Sequence, residues 1–211
     1  MSRIAVYART EPLKLVSESM VRYGGPDYSW SFLKTPELAS LKSDNADIYV
    51  HLSHSLLDSG LLAMSRELLC EEIVLLPVLI EPRLLHLGPL TFGLGRGSCW
   101  ECYLRRYLCH SPWPREDLAL QRSREAGSGP PEIAVQPFAC YAATLILSVL
   151  KKIDDGENIS GHSWMVDMLN HSVIPAVNVS VPGCAICSSA RRAPDPTDLA
   201  KELAYLWESK P

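Results

Sequence analysis

What this chain of 211 residues lacks narrows its work before any motif is read. No apolar run approaches the roughly 20 residues needed to span a bilayer, so no membrane is expected. Positive charge is not in excess: Lys and Arg number 20 against 24 Asp and Glu, a net charge of -4. Phosphate binding wants a basic face, so nucleic acid is not expected as the main partner. Seven cysteines are too few for a dense disulfide scaffold, and the opening MSRIAVYART resembles no secretion signal. A soluble, reducing, cytoplasmic setting is the expectation that follows.

Two further absences concern chemistry. A nucleotide-binding unit carries G-x-G-x-x-G between its first strand and helix, so that backbone N–H groups can approach phosphates. Here the turn reads Ala8-Arg9-Thr10-Glu11-Pro12, with no glycine and with a carboxylate suited to the positive helix terminus. The later GLGRG (Gly93 to Gly97) has no G-K-[ST] after it, so a phosphate loop is not expected there either. The chain is therefore not expected to bind ATP on its own. Its histidines, His51, His54, His86, His110, His162 and His171, are scattered and fall in no recognisable acid–base or nucleophile motif. Ser53-His54-Ser55 ends a strand, the place where α/β sites gather, and is the one stretch that invites chemistry by position alone.

What is present reads as α/β. At 47% hydrophobic, the chain can bury a core without staples. Residues 3–8 (RIAVYA), Asp47 to Ser53 (DIYVHLS) and Ile73 to Ile80 (IVLLPVLI) have the composition of buried strands. Between them, Pro12 to Gly24 and Leu56 to Leu69 carry apolar residues at helical spacing. Alternating strands and helices with continuously apolar strands predict a Rossmann-like parallel sheet covered on both faces. The stretch from Pro26 to Asp44, with Tyr28, Trp30 and Phe32, reads as a loop whose aromatics pack onto the domain. Residues 111–131 (SPWPREDLALQRSREAGSGPP) read as an exposed crossover loop. Glu132 to Ile153 predicts a buried helix, and residues 163–169 and 173–181 predict paired strands. Residues 196–209 predict a C-terminal amphipathic helix with Leu199, Leu203 and Leu206 on one stripe. The whole, 1–211, is expected to be one domain.

The candidate site is a set of thiols. Cys99 and Cys102 form one C-x-x-C pair, and Cys184 and Cys187 form a second. Two such pairs supply four thiolates for a tetrahedral structural zinc, because two intervening residues let one turn present both sulfurs to the same ion. Gly97 and Gly183 precede the pairs, where a tight knuckle needs a backbone free of a side chain. A thioredoxin-like redox pair would explain one C-x-x-C and leave the other unexplained. An iron–sulfur cluster also takes four thiolates and ranks below zinc. Cys70, Cys109 and Cys140 read as buried thiols outside the tetrad.

The run GPLTFGLGRGSCWECYLRR, followed by HSVIPAVNVSVPGCAIC, resembles the ThiF-like subunits of azole-forming cyclodehydratases, which act in the biosynthesis of thiazole/oxazole-modified microcins. Gly88-Pro89-Leu90, Cys99-Trp100-Glu101-Cys102 and Arg105-Arg106 match the first part of that family's pattern. His171, Pro182, Cys184 and Cys187 match the second. The resemblance implies a ubiquitin-activating-enzyme-like fold and a non-catalytic, zinc-containing subunit. Its expected partners are a YcaO cyclodehydratase, which carries out the ATP-dependent cyclisation, and a second ThiF-like chain or another copy of itself. Family members usually begin with a small winged-helix clamp that captures the leader of the precursor peptide. This sequence starts directly in the α/β domain, so leader capture is not expected of it alone. Two other functions stay open at this stage: a ThiF/MoeB-type ATP-dependent adenylating enzyme, and a zinc-ribbon regulator binding nucleic acid through Arg105-Arg106 and Arg191-Arg192.

Overall fold

The apolar runs of the first half become neighbouring parallel strands. In the computed structural model, which describes residues 2–92, 98–128 and 136–187, β1 (Ser2–Ala8), β2 (Tyr28–Leu33), β3 (Ile48–Ser53) and β4 (Val74–Ile80) lie in the order β2-β1-β3-β4. β1 pairs in parallel with both β2 and β3, and β3 with β4. Beyond β4 the sheet changes sense. β5 (Leu84–Leu87), β6 (His162–Asp167) and β7 (Ser172–Val177) add three antiparallel strands, giving seven among the described residues.

Period-two alternation sorts the strand residues onto two faces. Ile4, Val6, Ile48, Val50, Leu76 and Val78 point to the layer of α1 (Glu11–Gly24) and α6 (Gln136–Asp154). Ala5, Tyr49, Leu75 and Leu79 point to the opposite layer, built by α2 (Leu38–Ser43), α3 (Ser59–Glu67) and α4 (Trp100–His110). Because both faces are covered, the parallel strands can be apolar throughout, and β3 is buried at all of its positions. α1 buries Leu13, Val16 and Met20, the stripe its spacing predicts. α6 answers with Ile146 and Leu150 and with Ala139, Ala142 and Ala143, small residues that let the two helices approach.

Three expectations are corrected. The stretch holding Tyr28, Trp30 and Phe32 is not a loop: it is the edge strand β2, followed by the short helix α2. Residues 111–131 are not a loop where they are described, because α5 (Pro114–Glu125) forms there and buries Gln121. Pro114 stands in its first turn with Glu116 and Asp117, and Arg122 and Arg124 stand in its last turn, the charge order that suits a helix dipole. Cys70 and Cys109 are exposed rather than buried, and Cys140 is half-buried, accepting a hydrogen bond from Tyr23 Oη at 3.3 Å. The amphipathic stretch 196–209, Gly93 to Gly97, and Arg191-Arg192 lie outside the described residues.

Gly88-Pro89-Leu90 acquires a structural reason. Gly88 N–H donates to Pro77 O at 2.8 Å, Leu90 N–H donates to His162 O at 2.9 Å, and Gly161 N–H donates to Leu90 O at 2.8 Å. The segment thus continues the bonding between β4 and β6 after β5 ends. Gly88 has φ +87°, and a Cβ there would meet His162 O at 2.5 Å, so no side chain fits.

β7, an edge strand among the described residues, carries a proline. Asn178 N–H donates to Gly161 O at 2.8 Å, which sets the phase of the ladder: even-numbered residues of β7 turn their N–H groups to β6. Pro175 therefore falls at an outward position, where its missing N–H interrupts the row of donors a further strand would use. Val173, Ile174 and Val177 nevertheless leave apolar side chains exposed on this strand.

Candidate metal centre

The four candidate ligands come from two places far apart in the chain. Cys99 directly precedes α4, and Cys102 lies in that helix's first turn. Cys184 and Cys187 sit in the turn after β7, which begins at Gly183 with φ +67°. A side chain is strained at that angle, which explains the glycine ahead of the second knuckle. α4 is held against the sheet by Trp100, fully buried, whose Nε1 donates to Leu56 O at 3.1 Å and whose ring stacks on Tyr103 at 5.0 Å. The tryptophan inside the C-x-x-C thus anchors the helix that presents Cys102.

All four sulfurs are buried and lie within 4.8 Å of one another. Cys99 and Cys102 are 3.6 Å apart, Cys99 and Cys184 3.7 Å, and Cys102 and Cys187 3.5 Å. A regular tetrahedron with metal–sulfur bonds of about 2.3 Å has edges of about 3.8 Å, so these separations suit one ion held by four thiolates. They are far longer than the roughly 2.05 Å of a disulfide. The group is the one cluster of three or more His, Cys, Asp or Glu side chains among the described residues that could hold a metal ion.

Backbone donors complete the knuckles. Val181 N–H donates to Cys102 Sγ at 3.2 Å, and Cys184 N–H donates to Val181 O at 3.1 Å. Burial pushes the Cys99 thiol up beyond the usual thiol range and raises that of Cys102 to about 11. Burial also acts upward on Cys184, but the N–H groups of Cys187 and Ile186, with Cys102 and Cys99, outweigh it and bring this thiol down to about 7. Burial without a cation thus opposes ionisation of Cys99 and Cys102, and a bound cation reverses that balance. Leu69, Val181 and Ile186 shield the cluster.

The Arg pair that follows the first knuckle is also placed. Arg105 pairs with Glu101 one turn back, and Arg106 Nε donates to Val179 O at 2.6 Å. Arg106 therefore ties α4 to the segment between β7 and the second knuckle. His171 stands in the turn between β6 and β7 with φ +53°, its ring 5.4 Å from that of Tyr141. It is not brought to the cysteines as a ligand.

A second polar group, which sequence spacing does not suggest, lies at the carboxyl ends of β1 and β3. Fully buried His51 has Nδ1 2.7 Å from Tyr49 Oη and Nε2 3.2 Å from Asp58 Oδ1. Asp58 caps α3, accepting from Leu61 N–H at 2.8 Å and from Ser53 Oγ at 3.0 Å. Burial alone would raise the Asp58 carboxyl, but His51, Leu61 N–H and Ser53 outweigh it and hold it at about 2. Ser53, His54 and Ser55 line the same crevice. Ser53 Oγ is engaged with Asp58 and with Ser55 O at 3.1 Å, so it is not a poised nucleophile. No helix among the described residues is long and apolar enough to cross a membrane.

No family sequence model matches the chain, and no curated protein matches it by sequence. Solved structures do share its fold. The heterocyclase TruD superposes with a TM-score of 0.59 at 20% identity, over 88% of this chain and 27% of that one. A heterocyclase solved with substrate and cofactor gives 0.62 at 17%, over 88% of this chain and 25% of that one. The chain thus spans only about a quarter of those heterocyclases, by the 27% and 25% coverage. The E. coli microcin synthetase McbBCD complex gives 0.64 at 11%, over 88% and 68%. The microcin C7 biosynthetic enzyme MccB, solved with N-formylated MccA, gives 0.60 at 12%, over 89% and 67%. At such identities the likeness is one of fold: the α/β architecture of this chain is that of domains found in heterocyclases and microcin synthetases.

Proposed function

We propose that this chain is a non-catalytic, zinc-bearing subunit of a machinery that forms thiazoles and oxazoles in a ribosomal peptide. In this reading Cys99, Cys102, Cys184 and Cys187 hold one structural Zn²⁺, and a YcaO-type partner carries out the ATP-dependent cyclisation. Zinc accepts four thiolates without redox chemistry of its own, so its part is to tie α4 to the turn after β7. The observation that carries the reading is the coincidence of two features on one chain. The fold is that of heterocyclase and microcin synthetase subunits, and the tetrad carries the Cys-Trp-Glu-Cys form. A cytoplasmic setting goes with it, because reduced thiolates are required.

Co-expression tests the association. The chain is expected to co-elute with a YcaO protein encoded beside it and with a second ThiF-like chain or another copy of itself. Separate elution of all candidates would count against the scaffold role. Adenylation remains the second reading, because MccB, a neighbour in fold, has been solved with AMPCPP. The crevice at the carboxyl ends of the strands measures about 120 Å³, below the roughly 300–1,000 Å³ usual for ligand sites. Calorimetry of the isolated chain with ATP and magnesium separates the two: micromolar binding favours adenylation.

A further inference from the structure

α5 lies across the place where an open α/β sheet takes its ligands. β1 leads through α1 to β2 on one side, whereas β3 leads through α3 to β4 on the other, so the two neighbouring strands form a topological switch point. A crevice of about 120 Å³ remains there between Arg9, Ser53, Ser55, Asp58 and Glu125. The end of α5 closes the rest. Gln121 is buried, its Oε1 accepting from Leu56 N–H at 2.8 Å and its carbonyl accepting from Ser55 Oγ at 3.2 Å. Arg124 pairs with Glu81, just beyond β4. The last residue, Glu125, reaches Arg9 at 2.9 Å and accepts from Ser59 Oγ at 3.2 Å, at the start of α3.

The three contacts differ in kind. Gln121 and Arg124 are shielded, with 12% of the Arg124 side chain exposed, whereas the Arg9 side chain is 47% exposed and Glu125 24%. An exposed pair of this sort shifts an equilibrium by no more than about fivefold, weak enough to be traded for an equivalent partner. Any replacement for Glu125 must also respect the local charge balance. Arg9 already faces Asp58 at 4.0 Å, so the crevice has room for one more negative charge and for no large excess.

We propose that α5 is a strap over the switch-point crevice, latched by an exchangeable carboxylate. Glu125 fills a seat on Arg9 and Ser59 that a carboxylate supplied in trans can take, and the exchange releases the end of the strap. The ligand class is thus a carboxylate-bearing molecule, such as an acidic residue of a peptide. This stands apart from the heterocycle reading, because it concerns the isolated chain and no product. It also accounts for the glycine-free turn after β1: Arg9 occupies it as half of the latch.

Competition tests the seat. Amide hydrogen exchange of α5 is followed in the full chain, with sodium acetate compared against sodium chloride at equal ionic strength. Glu125→Ala, which removes the latch, is expected to speed exchange in the last turn of α5 about fivefold while α6 stays unchanged. In the wild type, acetate should speed the same turn toward the Glu125→Ala rate, and chloride should not. In Glu125→Ala the latch is already gone, so acetate should add nothing. Arg9→Ala, which removes the seat, should exchange fast and be insensitive to acetate. The proposal is overturned if Glu125→Ala leaves exchange as it was, if acetate leaves the wild type unchanged, or if chloride speeds it equally.

Discussion

Replacing one cysteine of the tetrad tests how far the metal centre supports the fold. In Cys184→Ser a soft, buried thiolate becomes a hydroxyl whose shorter bond cannot reach the same ion at the same place. An ion held by the tetrad would join Cys102 in α4 to the turn after β7, so its loss would free both ends of a closure of 82 residues, from 102 to 184. The large apolar clusters on the two sheet faces do not include these cysteines, so the strands should hold while the knuckles and α4 loosen. A ligand present at about a thousand times its dissociation constant stabilises by about 4 kcal/mol. In a protein of this size each kcal/mol moves the melting point by about 2–4 °C, so the variant should melt on the order of 10 °C lower. The assay pairs elemental analysis with thermal melting: about one zinc per wild-type chain, little in Cys184→Ser, and no change in Cys70→Ser, whose thiol is exposed. Wild-type protein that contains no zinc yet melts as high as its metal-loaded form would refute the reasoning.

Three further outcomes follow from particular residues. Trp100→Ala should cost about 3–5 kcal/mol, the usual range for emptying a buried tryptophan, whereas Trp100→Phe should cost less, losing chiefly the bond to Leu56 O; urea midpoints check both. Gly88→Ala should destabilise by more than about 1 kcal/mol, because φ +87° and the 2.5 Å approach to His162 O leave no room for a Cβ; chemical denaturation reads this too. Asp58, held at about 2, is expected to make stability depend on pH. Its folded value lies below the unfolded one, so its contribution, about 2 kcal/mol, is complete above about pH 4 and fades as pH falls toward 2. Melting curves of wild type and Asp58→Asn across that window should converge at the acid end.

The clustering of the four cysteines is legible because it is written locally: each pair of thiols lies within one turn, and the fold brings the two pairs together with all four sulfurs within 4.8 Å. β4 was legible because IVLLPVLI is apolar at nearly every position, as a strand covered on both sides must be. β2 shows itself in the sequence only through its period. Tyr28, Trp30 and Phe32 alternate with Ser29, Ser31 and Leu33, and that alternation is itself a strand signal at a sheet edge. α5 escaped because it is polar almost all round and has no apolar stripe; Pro114 followed by acids, with arginines at the far end, was the available sign. The antiparallel half followed only in part, since β5 is four residues long and too short for a pattern. The contacts at the switch point could not be read at all. Arg9 and Glu125, or His51 and Asp58, meet only because the sheet order brings separate loops to one end of the strands.

The measurement that bears most directly on the proposed role is a reconstituted reaction on a Cys/Ser/Thr-rich precursor peptide. The YcaO partner, the precursor, ATP and magnesium are combined with and without this chain, and loss of water from the peptide is followed by mass spectrometry. The account predicts azole formation that depends on the chain and that survives Glu125→Gln but fails with Cys184→Ser. Cyclisation proceeding at the same rate without the chain would contradict it.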